Sequence, residues 1–489
     1  MRVFLAVRLP KLPLEVFRPK WSPEPAHGSA VLEKDKVVIA DATARTAGVR
    51  LGMKRGGVLT LSPETQMHER DMGREGAAQR EVGIALMCFS PEVALLDEAT
   101  LVVEVGASLR LFGGLLALSR EAKAVLSALG FTARISAAPT RQGAWLLAKH
   151  GNRRVLKLAS LEHRLSALPM AAVPEVRPFF DWFNGLGCET IADIRRLPRG
   201  GLQRRCGEHL LDSLDRAFGI APELFDSLEA PPTFSARLEM PDRLEHADGA
   251  MFAAHRLIVQ LCGWLCAKQL AVTGVRLSLE YERGRDAIEP TIVDIALGEP
   301  IWREEHLVRL LKERLHRIEL AAPMIALRLD ATNVETAAPA SDTLFPEPGG
   351  SKEDHQKLLE LLVARLGEEN VLRPAPTADH RPEIANRWIP VSQKKKPAPL
   401  PEGLPRPTWM LDTPVRLLMR KHRPFYGSPL RMVSPGERIE AGWFDGELVT
   451  RDYFIAQGED TSCYWIFRER VSSRDAEEEQ RWFLHGLFG

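Results

Sequence analysis

The sequence predicts a multidomain protein that combines α/β and α+β domains, and three features of the chain indicate this fold class. β-like and helical runs alternate through residues 1–170, which is typical of an α/β domain. Residues 232–336 read as strand, long helix, two strands, helix and strand, the order of an α+β sandwich. Over residues 409–489, aromatic and polar side chains alternate at the period of a strand, which predicts a small β-rich domain.

Length and composition limit the classes of function. The 489 residues are enough for several hydrophobic cores. Lys and Arg together number 65, as do Asp and Glu, so no global charge excess indicates nucleic-acid binding. The six cysteines show no metal-binding spacing, so we predict no cofactor, and scattered thiols fit the cytoplasm. The chain opens without a signal-peptide pattern and has no apolar run of about 18 residues, so no membrane contact is expected.

Within the α/β region, residue patterns define four strands and three helices. The β-like runs are rich in Val, Ile and Leu, and the helical runs are longer, with apolar residues at helical spacing. The predicted strands are residues 3–7, 37–39, 101–105 and 133–136, and the predicted helices are residues 76–89, 115–129 and 141–149.

Residues 171–231 predict a helical domain with a helix-hairpin-helix motif. Gly185, Leu186 and Gly187 lie between two helical stretches, and glycines there let the backbone amides and the next helix start approach a phosphate. Arginines that can add phosphate contacts follow at 195, 196, 199, 204 and 205. The DNA-binding residues that we predict are Gly185, Leu186, Gly187, Arg195, Arg196 and Arg199. The alternative is a tight helix–helix turn without a ligand.

The remaining segments differ in character. The helix predicted over residues 250–270 places Trp264 on its apolar face, so we assign this side chain to the core. Residues 337–370 predict an irregular segment and a helix. Residues 371–408 contain nine prolines after position 373 and predict an extended linker. In the 409–489 domain, Asp445 and Gly446 predict a hairpin turn, and the aromatic residues form a core, stack single-stranded DNA or receive a partner.

Residues 90–114 resemble the central palm strands of Y-family (translesion) DNA polymerases. The matching residues are Ser90, Pro91, Val93, Ser108, Arg110, Leu111, Phe112 and Gly113. Aligned without a gap, Ala99 and Thr100 occupy the positions of the catalytic Asp-Glu pair. A two-residue shift would present Asp97 on the same face of the strand, but with both ends fixed it would require a compensating bulge on each side.

The first strand of that family carries another metal-binding carboxylate, and this chain lacks it too. Its first acidic residue is Glu15; anchoring it on the last Glu of the family motif puts Ala6 at the first metal ligand and Arg8 two positions later. Two-metal phosphoryl transfer needs two or three converging carboxylates, which Mg²⁺ prefers. The resemblance therefore implies no catalytic residue, with Ala6, Ala99 and Thr100 at the carboxylate positions.

Two further segments resemble nucleotide-contacting parts of the same family. Residues 39–53 resemble the fingers segment, with Arg45 retained and Ala42 in place of a tyrosine. Residues 136–149 resemble a palm segment, with Thr140 and Arg141 at an Asn-Lys pair. Because triphosphate binding normally depends on Mg²⁺, we predict no tight nucleotide binding.

Residues 341–345 resemble the short peptides with which bacterial proteins bind the sliding clamp. Such peptides read Q-L-x-L-F, and their leucine and aromatic side chains fill a pocket. This chain keeps Leu344 and Phe345 after Thr343 but lacks the Gln and the first Leu. We predict clamp binding through Thr343, Leu344 and Phe345; a loop that anchors itself to the next helix is the alternative.

Taken together, these segments resemble the ImuB type of Y-family-like protein from bacterial mutagenesis cassettes, most specifically in the carboxy-terminal tail. The resemblance implies degenerate palm and fingers (1–170), a thumb (171–231), a little finger of four strands and two helices (232–336), a clamp-binding segment and helix (337–370), a linker (371–408) and an interaction domain (409–489). It implies a non-catalytic adaptor in SOS-induced, error-prone translesion synthesis, located in the cytoplasm at the nucleoid. The implied partners are DNA, the β sliding clamp, an ImuA-type RecA/SulA-like accessory protein and an error-prone DnaE-type polymerase (ImuC).

Two alternatives remain. One is an active Y-family polymerase that uses Asp97, Glu98 or Glu104 in a displaced metal site. The other is a DNA-binding module that never meets the clamp.

Overall fold

The computed structural model describes residues 2–23, 25–224, 226–282, 288–337, 352–393, 403–444, 446–470 and 481–488. The chain separates into two compact units, residues 1–365 and residues 366–489. The clamp-like residues 343–345 lie outside the described residues.

The α/β region of the first unit is built around one antiparallel sheet of order β5-β6-β1-β7. Leu5 and Val7 of β1 enter the apolar core on the side of α4 and α5, whereas Phe4 and Ala6 enter the core on the side of α6. Because both faces are covered, the strand is apolar from Phe4 to Val7 instead of alternating. The elements of this region are β1 (Phe4–Arg8), α1 (Leu12–Glu15), β2 (Ser29–Glu33), β3 (Lys36–Ala40), α2 (Ala42–Thr46), α3 (Arg55–Leu61), β4 (Gln66–Glu69), α4 (Met72–Leu86), β5 (Val93–Leu96), β6 (Thr100–Glu104), α5 (Leu115–Ala128), β7 (Arg134–Ala138) and α6 (Arg141–His150).

A small sheet of order β3-β2-β4 projects from this region as the fingers. Its strand β2 pairs antiparallel with β3 and parallel with β4. Asp41 caps α2 by accepting hydrogen bonds from the backbone amides of Ala44 and Ser29, which fixes the start of α2 beside the sheet.

The helical thumb follows as predicted and contains the helix-hairpin-helix. Its helices pack with α6 around a single apolar core that includes the fully buried Phe183 and Ile194. Its elements are α7 (Leu158–Ser166), α8 (Phe180–Gly185), α9 (Ile191–Arg196), α10 (Arg199–Cys206) and α11 (Glu208–Ala217).

The little finger has the predicted four strands and two helices, in an antiparallel sheet of order β10-β9-β11-β8. Trp264 is a core residue, 2% exposed, and its indole N–H donates to the carbonyl oxygen of Pro231 at 2.7 Å. Residues 247–268 are long and apolar enough to cross a membrane, but 67% of their most apolar window is buried, and a core helix meets the same criterion. The elements are β8 (Ser235–Leu244), α12 (Met251–Lys268), β9 (Leu270–Tyr281), β10 (Thr291–Ile301), α13 (Glu304–His316) and β11 (Met324–Thr336).

Helix α14 (Lys352–Leu366) packs against the little finger. Glu360 lies 2.7 Å from Nε2 of His306, and its carboxylate also accepts the backbone amide of Gly298 on the edge strand β10. Burial alone would raise the pKa of Glu360, but His306 and the amide of Gly298 outweigh burial and hold it below its usual value.

The second unit begins with a departure from the predicted linker. Strands β12 (Leu372–Pro376) and β13 (Asn386–Pro390) pair antiparallel inside the proline-rich segment, and the buried Arg381 between them donates to Asp379 at 3.0 Å. A two-stranded ladder leaves every second amide without a ladder partner, so prolines fit at those positions. Proline count alone therefore gave the wrong structure for residues 372–390.

The rest of the second unit is the predicted β-rich domain, with the aromatic residues Tyr453, Trp465 and Phe467 in its core. Hairpin β19–β20 closes at the pair Ala441–Val449, so the connection around Gly446 is longer than the predicted two-residue turn; Asp445 lies outside the described residues. The strands are β14 (Trp409–Arg416), β15 (Leu418–Arg420), β16 (Arg423–Tyr426), β17 (Ser428–Pro429), β18 (Arg431–Met432), β19 (Glu437–Ala441), β20 (Val449–Gln457), β21 (Cys463–Glu469) and β22 (Trp482–Leu487).

Candidate functional site

The positions that correspond to the family's carboxylates lie on the paired strands β1 and β6 and in the turn before β6. Ala6 is fully buried in β1, between Val102 of β6 and Ser136 of β7. Thr100 opens β6 opposite Arg8, and Ala99 precedes it in the turn from β5. The carbonyl oxygen of Ala99 accepts the amide of Leu9 at 2.9 Å, so this turn is tied to the end of β1.

The register of these strands leaves Asp97 out of the sheet. The pairings of β6 with β1 and with β5 run without a shift, so the bulges that a displaced Asp97 would require are absent from them. Asp97 is exposed at the start of the turn. Glu98 and Ala99 complete the turn with φ of 55° and 51°, a left-handed conformation that reverses the chain tightly.

The carboxylate of Glu98, in the middle of this turn, lies among three cations. Its oxygens lie 3.1 Å from Nζ of Lys149, 2.5 Å from a guanidinium nitrogen of Arg177 and 3.9 Å from one of Arg8. Burial alone would raise the pKa of Glu98, but the hydrogen bonds and charges of Lys149 and Arg177 outweigh burial and hold it below its usual value. Glu98 is therefore ionised and neutralised within the protein near neutral pH.

Lys149 is the most buried member of this cluster, with 5% of its side chain exposed. Its ammonium group donates to the carbonyl oxygen of Ala172 at 3.1 Å and lies 3.8 Å from the ring centroid of Trp145. Burial lowers the pKa of Lys149, and Glu98 opposes that shift only in part. A buried ammonium is retained here because a carboxylate, a carbonyl group and an aromatic face surround it.

This arrangement does not fit a pair of Mg²⁺ ions. Hard cations bind converging carboxylates, whereas here three positive side chains surround the carboxylate of Glu98 and the neighbouring Asp97 is exposed at the start of the turn. Glu104, the next carboxylate along β6, lies four residues from Thr100 and accepts the amides of Val3 and Gly106. Across the described residues, no group of three or more His, Cys, Asp and Glu side chains is placed to hold a metal ion.

The segments that resemble nucleotide-contacting parts are also engaged within the protein. Arg45 is exposed on α2, and its Nε donates to the carbonyl oxygen of Asp41. Thr140 caps α6, and the first two amides of that helix, from Arg141 and Gln142, donate to the carboxylate of Glu223 at 2.6 and 2.7 Å. A carboxylate of this chain thus occupies a helix start that would otherwise favour an external anion.

Sequence reasoning missed the roles of Glu223, Lys149 and Arg177. Glu223 and Arg177 are single charged residues outside any recognisable motif, and Glu223 lies more than 80 residues from the amides that it binds. Two signals were present: Lys149 ends the palm-like segment 136–149, and the position of Arg8 in the first motif places a positive charge beside the expected metals.

The helix-hairpin-helix forms, but its backbone amides are used internally. Gly187 turns the chain with φ of 76°, and its amide donates to the carbonyl oxygen of Asn184. The amides of Glu189 and Thr190 donate to the carboxylate of Asp193, which forms a capping box at the start of α9. An incoming phosphate would therefore compete with Asp193.

The predicted arginines of this motif are paired to different extents. Arg195 forms an ion pair with Glu162 at 3.0 Å, and Arg199 forms a two-bond pair with Asp215 at 2.6 and 2.9 Å. Arg196 is 80% exposed and lies 3.5 Å from Asp193. Arg196 is thus the most accessible of the three predicted arginines, while Gly185, Leu186 and Gly187 form the exposed turn beside it.

Comparison with known proteins identifies the relatives of this chain. Residues 25–149 match the impB/mucB/samB family. The chain is 26% identical over 472 residues to Protein ImuB from two strains of Caulobacter vibrioides, an alignment that covers 90% of this chain and all of each relative. Two solved structures, a Y-family polymerase chimera of Dbh and Dpo4 and a Dbh ternary complex, are each 16% identical. They cover 68% and 67% of this chain and 99% and 98% of their own, with TM-scores of 0.37 and 0.39.

Proposed function

Since this chain is an ImuB-type homologue of the Y-family DNA polymerases, we propose that it is a non-catalytic adaptor in damage-induced, error-prone translesion synthesis. In this role it links damaged DNA, the sliding clamp, a RecA/SulA-like accessory protein and an error-prone DnaE-type polymerase. It acts in the cytoplasm at the nucleoid, and the DnaE-type partner performs the synthesis.

The proposal that the chain does not catalyse synthesis is supported by the Glu98 cluster, which consists of Glu98, Arg8, Lys149 and Arg177. Metal-assisted phosphoryl transfer needs carboxylates that converge on two cations, and here Arg8, Lys149 and Arg177 converge on a single carboxylate. The positive charge of these side chains opposes the entry of Mg²⁺ by direct repulsion. A site of this charge favours an anion over a divalent cation.

Primer extension on a gapped template, with Mg²⁺ and separately with Mn²⁺, tests this proposal. We expect the purified protein to bind the primed DNA without incorporating nucleotides. The alternative is an active polymerase with a displaced metal site formed by Asp97, Glu98 and Glu104. Incorporation that disappears in the variant with all three residues changed to Ala would establish that alternative, whereas incorporation that survives in this variant would point to a contaminating polymerase.

Clamp binding rests on the peptide around Leu344 and Phe345, and a pull-down with the sliding clamp tests it. We expect the clamp to be retained by the wild-type protein and lost on Leu344→Ala/Phe345→Ala. The matched control is Leu358→Ala/Leu366→Ala, which removes two exposed leucines of α14. Retention that is unchanged by the first variant would favour a DNA-binding module that does not meet the clamp through this peptide.

A further inference from the structure

Hairpin β15–β16 of the second unit carries an exposed basic arm, defined here as residues 416–431. Its strands pair Leu418 with Phe425 and Arg420 with Arg423. Lys421 and His422 form the tip with φ of 48° and 62°. Two left-handed residues in succession favour Asn-Gly, so a Lys-His tip departs from turn preference and puts a cation and an imidazole at the most exposed point.

The basic arm is positively charged without internal neutralisation. Its cations, all exposed, are Arg416, Arg420, Lys421, Arg423 and Arg431. No acidic residue occurs between Asp412 and Glu437, and among the described residues the first four of these cations form no ion pair. Arg431 donates to the side-chain oxygen of Gln457, and the Arg420 guanidinium lies 4.0 Å from the ring centroid of Phe425.

Two acidic residues, Glu459 and Asp460, lie in the turn that contacts the base of the arm at Ser428. The amide of Glu459, in the β20–β21 turn, donates to Oγ of Ser428 at 3.1 Å. Its neighbour Asp460 accepts hydrogen bonds from the amide and hydroxyl of Ser462. Neither carboxylate is among the partners of the tip cations in the part of the chain that the structure describes.

The outward face of the little-finger sheet has the opposite character. Arg276 forms a two-bond pair with Asp294 across β9 and β10, and Glu280 lies between Arg237 and Arg328. The register of the paired strands places acidic and basic side chains next to one another across this face. A phosphate would have to displace a carboxylate at each arginine, which removes much of the gain from binding DNA there.

Tyr426 adds an aromatic surface beside the cations of the arm. Its side chain is 43% exposed, and its ring meets the edge of Tyr464 at 5.4 Å between centroids. Cations that contact the backbone, interleaved with an aromatic ring that stacks a base, are how single-stranded nucleic acids are bound without sequence preference.

We propose that the basic arm is a DNA-binding site that holds single-stranded DNA, with Arg420, Lys421 and Arg423 on phosphates and Tyr426 stacked on a base. The site is separate from the helix-hairpin-helix. It stands independently of the proposed absence of synthesis, because DNA binding and primer extension are measured separately.

The test is fluorescence anisotropy of the full-length protein with labelled oligothymidylate and with a duplex of equal length, over a range of salt concentrations. We expect Arg420→Ala/Lys421→Ala/Arg423→Ala to weaken binding to oligothymidylate at least tenfold at low salt. Three phosphate contacts contribute about 0.7 each to the slope of log affinity against log salt on single strands, so the slope falls by about 2. The matched control Arg120→Ala/Lys123→Ala/Arg309→Ala removes the same charge from exposed positions on α5 and α13.

Substitutions of Tyr426 distinguish the contribution of base stacking to DNA affinity from the contribution of charge. We expect Tyr426→Ala to weaken binding to oligothymidylate at least about fivefold without changing the salt slope, and Tyr426→Phe to keep full affinity. An unchanged affinity in the triple variant, or an equal loss in the charge-matched control, would overturn the site. Loss of duplex binding alone would overturn the single-strand assignment, and unchanged DNA binding with loss of an acidic partner protein would make the arm a protein-docking surface.

Discussion

Replacing Glu98 with Gln tests how strongly the cluster of Glu98, Arg8, Lys149 and Arg177 stabilises this part of the fold. The change keeps the size of the side chain and removes its charge, so Lys149 loses its carboxylate partner while keeping the carbonyl oxygen of Ala172 and the face of Trp145. Breaking a fully buried ion pair by removing one partner costs about 3–5 kcal/mol. The side chains of Lys149 and Glu98 are 5% and 23% exposed, so water reaches the carboxylate and we expect a loss of about 2 kcal/mol.

Hydrogen exchange is the suitable assay, because a chain of two compact units does not unfold in one step. Peptides that cover α6 and the β5–β6 turn should exchange roughly 30-fold faster in Glu98→Gln, which corresponds to about 2 kcal/mol of local stability. Asp97→Asn is the control: Asp97 is the exposed neighbour in the same turn, and its replacement should change protection very little.

The pH dependence of this effect has a definite sign. The folded pKa of Glu98 lies below the ordinary value of 4.5, so its ionisation stabilises the folded state fully above about pH 4.5. The difference between wild type and Glu98→Gln should therefore disappear as the pH falls through the lowered pKa. Equal protection of α6 in both proteins at pH 7, or an equal change in Asp97→Asn, would refute the cluster as a stabilising element.

Three further predictions concern packing and buried polar groups. Gly263→Ala should destabilise the first unit by about 1–3 kcal/mol despite the helix preference of alanine, because a Cβ there would lie 2.6 Å from Cα of Ala85. The control Gly76→Ala has open space around it and should instead stabilise the unit by about 0.5–1 kcal/mol. Calorimetry measures both changes. Tyr453→Phe should destabilise the second unit by about 1–3 kcal/mol in thermal melting, because its hydroxyl meets Nδ1 of His485 at 2.8 Å; an unchanged melting temperature would contradict this. Burial lowers the pKa of His485 below 6.5, so the stability of that unit should decrease as the pH falls below about 6.5, and His485→Gln should flatten the profile.

The little-finger fold was accessible to sequence reasoning because its signals are local. Apolar spacing along α12 and alternation along β9 and β10 depend on neighbours in the chain, and the buried Trp264 follows from the same spacing. The absence of a carboxylate from the opening strand was equally readable, because no acidic residue precedes Glu15; the assignment of Ala99 and Thr100 to the catalytic positions stays a prediction.

The ion-pair cluster around Glu98 could not be predicted from local sequence signals. Arg8, Glu98, Lys149 and Arg177 come from a strand, a turn, a helix and the thumb, and only the folded chain brings them within ion-pair distance. The β12–β13 pair was missed for a related reason: proline frequency reports local backbone preference, whereas the partner strand lies ten residues farther along the chain and outweighs that preference.

The distribution of charge in this chain bears on both proposals. At the turn before β6 and at the start of α6, cations or helix amides that would face a nucleotide are satisfied by Glu98 and Glu223. The arginines of the little-finger sheet are satisfied by acids in the same way. Internal pairing of this kind lowers the gain from binding phosphate, since each pair must be broken first. DNA binding still requires accessible cations, and among the described residues the basic arm of the second unit holds four exposed cations that form no ion pair. DNA binding that depends on the arm more than on the little finger would follow directly from this division.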